Sequence, residues 1–115
     1  MSNKYWQYPL FQHWYKATEW LMDKSAKLPR SVRPTLVKRM DDYCLDILEL
    51  IQEAIFTPAK ARRGKLRAIN LHLDKLRILI RICHDRQYIS VKQYQYASQL
   101  IDETGRMVGG WLKIL

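Results

Sequence analysis

From Lys65 to Asp85, the residues Leu66, Ile69, Leu73, Leu76, Ile80 and Cys83 recur at spacings of three and four. At 3.6 residues per turn this spacing gathers all six on one face, which predicts a long amphipathic helix buried by its neighbours. Such a helix is about 31 Å long at ~1.5 Å per residue, enough to span a small domain, so the rest of the chain has to pack around it. Leu71, Ile78 and Ile82 fall off this face, giving more apolar surface than one seam requires and predicting a second contact. Arg67, Asn70, Asp74, Arg77 and Arg81 form a further row that should face water or a polyanion.

The remaining chain supplies three more helical patterns. Met1 to Pro9, with Tyr5, Trp6 and Tyr8, reads as an extended arm that Pro9 closes. Leu10, Trp14, Ala17 and Leu21 then form a stripe in a helix reaching about Leu28, with Phe11, Tyr15, Trp20 and Met22 off it, to be covered by a partner or by the arm. Leu28 to Thr35 contains two prolines and forms the first connection, in which Ser31 or Thr35 can cap the next helix. The second helix runs to about Phe56, with Asp42, Asp46, Glu49 and Glu53 along an acidic row that is either solvated or meets the arginine row of another subunit. Pro58 and Gly64 mark a break from Thr57 to Gly64. After Arg86 to Ile89, Ser90 and Gln93 match a capping box that opens a fourth helix, expected to end near Gly109 and Gly110. Four amphipathic helices with short connections predict an all-α, antiparallel up-down-up-down four-helix bundle over residues 10–115, preceded by an arm over 1–9.

Charge narrows the range of partners. The 115 residues carry 20 Lys+Arg and 11 Asp+Glu, a formal charge of +9, which favours nucleic acid, an acidic protein or an anionic surface, although solubility alone also accounts for such an excess. No apolar run approaches the ~18 to 20 residues of a membrane span and no signal-peptide pattern opens the chain, so a cytoplasmic protein without membrane contact is expected. In an up-down bundle, Lys27, Arg30, Arg33, Lys38 and Arg39 share an end with Arg81, Arg86 and Lys92. Lys60, Arg62, Arg63, Lys65 and Arg67 gather at the other, near Arg106 and Lys113. Guanidinium groups give phosphates forked hydrogen bonds, and neutralised phosphates release counterions, so either end can hold RNA or DNA without reading its sequence.

Catalytic chemistry is not apparent. No nucleophile with a base, no carboxylate pair and no Glu-x-x-His appears at a useful spacing, and Gly105, Gly109 and Gly110 do not follow a strand as a phosphate loop would. His13, His72 and His84 fall on separate surfaces, and Cys44 and Cys83 each lie on an apolar stripe as buried thiols. A binder or scaffold is expected, with no metal and no cofactor.

Four segments carry a family resemblance: Leu28-Pro29-Arg30-Ser31, Leu76-Arg77-Ile78-Leu79-Ile80-Arg81, Ile89-Ser90-Val91-Lys92-Gln93-Tyr94, and the closing Gly105-Arg106-Met107-Val108-Gly109-Gly110-Trp111-Leu112-Lys113. Together they resemble the accessory variability determinant of diversity-generating retroelements, within a wider four-helix-bundle group that includes proteins encoded in ribosomal RNA intervening sequences. The resemblance covers Leu10 to Leu112, and its glycine element is the most specific part. Pro34 and Val37 depart from it, standing where the family more often has an aromatic residue and a glycine.

The resemblance implies a non-catalytic homopentamer shaped as a basic barrel, which binds the retroelement's reverse transcriptase and its template RNA or cDNA during mutagenic reverse transcription and retrohoming. On matching positions it implies Arg30, Arg33, Arg39, Arg77, Arg81 and Arg106 as contacts to nucleic acid or reverse transcriptase. Lys60, Arg62, Arg63, Lys65 and Arg67 stand as a secondary basic cluster, and Leu71, Ile78 and Ile82 gain a purpose as subunit interface. The alternatives are an intervening-sequence-type bundle without a reverse transcriptase partner and a purely structural oligomer.

Overall fold

The computed structural model describes residues 4–115, so the first three residues of the expected arm lie outside the described residues. Four helices follow in order, α1 (Pro9–Ser25), α2 (Lys38–Phe56), α3 (Ala59–Asp85) and α4 (Val91–Lys113), with no strand among the described residues. The longest, α3, has 27 residues. At ~1.5 Å per residue it is about 40 Å long, which matches the 42 Å long dimension of the molecule. α2 packs on α3, α1 on α2, and α3 on α4, while α1 closes the bundle against α4. Each pair joined by a short connection is antiparallel, which gives the up-down-up-down four-helix bundle that the periodicity predicts.

The expected stripes form the interior. Trp14, Leu21, Ile47, Ile51, Leu66, Ile69, Leu73, Leu76, Ile101 and Val108 are fully buried. Two polar side chains that go inside with them find partners: Trp14 Nε1 donates to the Cys44 carbonyl at 2.9 Å, and the Thr104 hydroxyl to the Leu100 carbonyl at 2.7 Å, whereas the buried Thr18 hydroxyl has no partner among the described residues. These bonds matter because a buried donor without an acceptor costs more than the net value of the bond itself.

Several boundaries differ from the sequence reading. The arm is not extended, since Lys4–Gln7 form a 3-10 turn whose Tyr5 and Trp6 rings meet Phe11 edge-on at 4.8 and 4.9 Å. Aromatic burial outweighs the freedom of a short terminal segment. Thr57 to Gly64 is not a connecting loop either, because α3 begins at Ala59 and runs through Gly64. One interior glycine costs about 1 kcal/mol, which the six buried apolar residues of the α3 stripe offset many times over. α4 likewise continues past Gly109 and Gly110 to Lys113, and none of these glycines has a positive φ.

The entry to α2 is irregular. A 3-10 turn over Arg30–Val32 and a π-helical turn over Arg33–Val37 precede it, and neither Ser31 nor Thr35 caps the helix. Thr35 Oγ1 donates to the Val32 carbonyl at 3.4 Å instead. Pro34 sits in the first residues of the π turn, where its missing N–H leaves no bond unmade. Both positions that depart from the family pattern, Pro34 and Val37, lie in this turn.

The α3–α4 connection is tightly specified. Tyr88 N–H donates to the Cys83 carbonyl at 2.8 Å and Gln87 N–H to the His84 carbonyl at 3.0 Å, the paired bonds of a Schellman ending. Ser90 Oγ accepts from Gln93 N–H at 3.1 Å and Gln93 Oε1 accepts from Ser90 N–H at 2.9 Å, completing the expected capping box. Gln87 has φ 61°, a left-handed conformation that normally belongs to glycine. Gln87→Gly should therefore raise stability by about 0.5–1 kcal/mol in urea denaturation, the relief of Cβ strain being partly cancelled by a more flexible unfolded chain.

Candidate nucleic-acid interface

Antiparallel packing brings the α1–α2 and α3–α4 connections to one end of the bundle. Arg30 and Arg33 stand on the irregular turns before α2 and Arg39 on its first turn, all exposed and without an ion-pair partner. Lys27, Arg86 and Lys92 are exposed at the same end, with Arg86 stacked at 5.8 Å over the Tyr88 ring. Lys38 pairs with Asp42 at 2.7 Å, and the Asp42 hydrogen bond raises the lysine's pKa.

Two of the family-implied arginines are already engaged. Arg81 Nε lies 3.0 Å from an Asp85 oxygen. Hydrogen bonds from Arg81 and then His84 hold the Asp85 carboxyl below its ordinary range. The pair is therefore intact above the ordinary carboxylate pKa and is lost only as pH falls through the lowered value. Arg77 is held more firmly: its guanidinium meets Asp74 on the same helix and crosses to Asp102 of α4 at 3.1 Å. The guanidinium passes close to Gly105, where an added Cβ would stand 3.4 Å from Arg77 Nη2, an ordinary contact. Arg77 thus bridges the two helices. Arg106 stays exposed beside an open depression of about 500 Å³ that it lines with Asn70, Asp74, Arg77, Asp102 and Gly105.

At the opposite end the secondary basic cluster divides. Arg62 Nε and Nη2 donate to the Ala54 and Thr57 carbonyls at 2.8 and 3.0 Å, and its guanidinium lies 4.9 Å over the Trp111 ring. It therefore closes the end of α2 and fastens α4 to it. Lys65 reaches Glu53 at 3.5 Å, and Arg63 donates to the Leu115 carbonyl at 3.3 Å. Lys60 and Arg67 are exposed and have no partner among the described residues. The acidic row of α2 is met partly from within the protomer, by Lys65 on Glu53 and by His72 at 3.9 Å from Asp46.

The second apolar stripe of α3 lies open: Leu71 is 55%, Ile78 63% and Ile82 38% exposed. Sequence periodicity missed Val91 and Leu45, which are similarly exposed. Trp20, which periodicity places off the α1 stripe, meets the Tyr96 ring of α4 with centroids 4.8 Å apart. Only the packing of those two helices could pair them.

Other reactive side chains are enclosed or separated. Burial pushes the Cys44 thiol up to about 12 and also raises Cys83, whose Sγ lies 3.7 Å from Met40 Sδ. His13 faces Glu103 at 3.8 Å and His84 stacks on Tyr94 at 4.3 Å. Among the described residues no three His, Cys, Asp or Glu side chains converge as metal ligands, and no helix is long and apolar enough to cross a membrane.

A family model described as bAvd-like, the bacterial accessory variability determinants, matches residues 10–115, all but the first nine. No curated protein matches the chain.

The division within the secondary cluster can be measured. Arg62→Ala leaves two helix-end carbonyls without their charged donor and should cost about 1.5–3 kcal/mol in urea denaturation. Lys60→Ala, at an exposed site, should stay within about 0.5 kcal/mol.

Proposed function

The chain belongs to the bAvd-like family, and from that premise we propose that it is a non-catalytic accessory subunit of a diversity-generating retroelement. In this role it binds the element's reverse transcriptase and its template RNA or cDNA in the cytoplasm, and supports mutagenic reverse transcription and retrohoming. Residues 10–115 form the bundle domain and 1–9 its arm.

The observation that carries this reading is the arginine set at the end made by the α1–α2 and α3–α4 connections. Arg30, Arg33 and Arg39 are exposed there with no carboxylate to neutralise them. Three guanidinium groups in that state suit phosphate oxygens, which take forked hydrogen bonds and give up condensed counterions on contact. Arg77 and Arg81 join such a contact only by exchanging a carboxylate for a phosphate, which makes them weaker members of the site than the other three. Arg106 is free to take part from the side of the bundle.

The protomers assemble as a homopentamer through the open stripe of α3. Leu71, Ile78 and Ile82 project enough apolar surface to favour a helix-on-helix contact. The charged neighbours Arg77 and Arg81 are neutralised within the protomer and so oppose such a contact less.

Light scattering of the pure protein should give five times the 13.8 kDa protomer mass. Ile78→Glu should lower that mass, and an unchanged mass would remove the stripe from the interface. A short structured RNA should bind at ~50 mM salt and weaken steeply by ~200 mM. Replacing Arg30, Arg33 and Arg39 together with Gln should flatten the dependence of log K on log salt by about 2–3, reflecting about 0.9 per lost phosphate contact. A slope that does not change would exclude these three residues from the site.

A further inference from the structure

We propose that the outer corner between α1 and α4 is a stacking site for an unpaired base of a single-stranded nucleic acid. This rests on the nucleic-acid reading above and adds to it a class of ligand, single strand as opposed to duplex, and a second place of contact, next to the arginine end where Lys92 stands.

Trp20 from α1 and Tyr96 from α4 meet with ring centroids 4.8 Å apart and planes inclined at 65°. The two rings form an open angle. Tyr96 is 45% exposed. Trp20 also lines a small apolar space with Leu28, Met40, Ile80, Ile89 and Ala97, so its ring is anchored from beneath. Over this angle lies an open depression of about 330 Å³ bounded by Trp20, Lys24, Lys92, Gln93 and Tyr96. A flat base entering it can lie on one ring and press its edge to the other.

Charge at the corner suits a nucleotide. None of the five lining residues is acidic and two are lysines. Lys92 is exposed and unpaired, and Lys24 Nζ stands 5.3 Å over the Trp20 ring, where a flexible stem lets it turn from the ring to a phosphate. Gln93 is held by the capping box through its Oε1, which leaves Nε2 free to donate to a base carbonyl. Bases paired in a duplex do not present a free face to either ring, so the corner selects unpaired strands.

The test compares binding of decauridylate, decadeoxythymidylate and a ten-base-pair RNA duplex to the full chain at ~50 mM salt. Tyr96→Ala should weaken both single strands by about tenfold or more, as loss of base stacking does, and leave the duplex within about twofold. Its salt slope should stay unchanged, because no phosphate contact is removed. Tyr96→Phe should restore binding, and Tyr96→Leu, which keeps apolar packing against Trp20 but has no π face, should not. Lys92→Gln should instead flatten the single-strand salt slope by about 0.7. Equal losses on duplex and single strands, or full binding by Tyr96→Leu, would overturn the stacking corner while leaving nucleic-acid binding in place. A wild-type chain that binds none of the three would overturn both.

Discussion

Burial of one face of α3 is the constraint on which the other features depend. Leu66, Ile69, Leu73, Leu76, Ile80 and Cys83 all lie inside, against neighbours on either side. A helix of that length can be covered along its whole course only by helices running beside it, so every connection is pushed to one end or the other. Several backbone irregularities gather at one of these ends: the 3-10 turn of Arg30–Val32, the π turn, the Schellman ending and the capping box lie at the end that carries Arg30, Arg33 and Arg39, while the Lys4–Gln7 turn lies at the other. A regular helix presents guanidinium groups along its sides, whereas these turns place two of them beyond the end of the bundle.

Charge on this chain does two kinds of work that composition cannot separate. Arg62, Arg77 and Arg81 are equally positive in the sequence, yet each has a partner within the protomer. Arg62 is a structural tie, since its Nε and Nη2 donate to two carbonyls and its guanidinium lies over the Trp111 ring. Arg30, Arg33 and Arg39 have no such partners. The cations without a partner among the described residues are therefore fewer than the 20 Lys+Arg of the sequence. A solvent-exposed ion pair contributes little to stability, so pairs such as Arg81–Asp85 matter mainly for which cations they withdraw from a ligand.

The fold was legible because its signal is repeated: each helix carries several apolar residues in register, and one mistaken residue does not shift the stripe. Ser90 and Gln93 marked the start of α4 correctly because a capping box is a local interaction between two residues three apart. Gly64, Gly109 and Gly110 misled because a glycine's preference of about 1 kcal/mol yields to helix packing. Thr35 misled because Pro34 leads the chain into a π turn, where the expected cap geometry does not form. Among the candidate arginines, sequence does not show which have partners within the chain. Asp102 lies 25 residues from Arg77, and only the crossing of α3 and α4 brings the two together. Trp20 and Tyr96 were invisible as a pair for the same reason.

The glycines of α4 show how far protomer packing can account for a motif. Gly105 has a neighbour: the Arg77 guanidinium passes close to it on the way to Asp102, and an added Cβ would meet Nη2 at 3.4 Å. Gly109 and Gly110 are different, because a Cβ at either would meet nothing within 4 Å. Each still weakens the helix by about 1 kcal/mol relative to alanine, and neither adopts a backbone conformation that only glycine allows. Nothing in the protomer explains why these positions forgo a Cβ. They leave a bare strip of helix backbone beside Arg106, where a second chain can approach more closely than any side chain would permit. The most specific element of the family resemblance thus meets the rest of the single chain at Gly105, while Gly109 and Gly110 leave room that a second chain can fill.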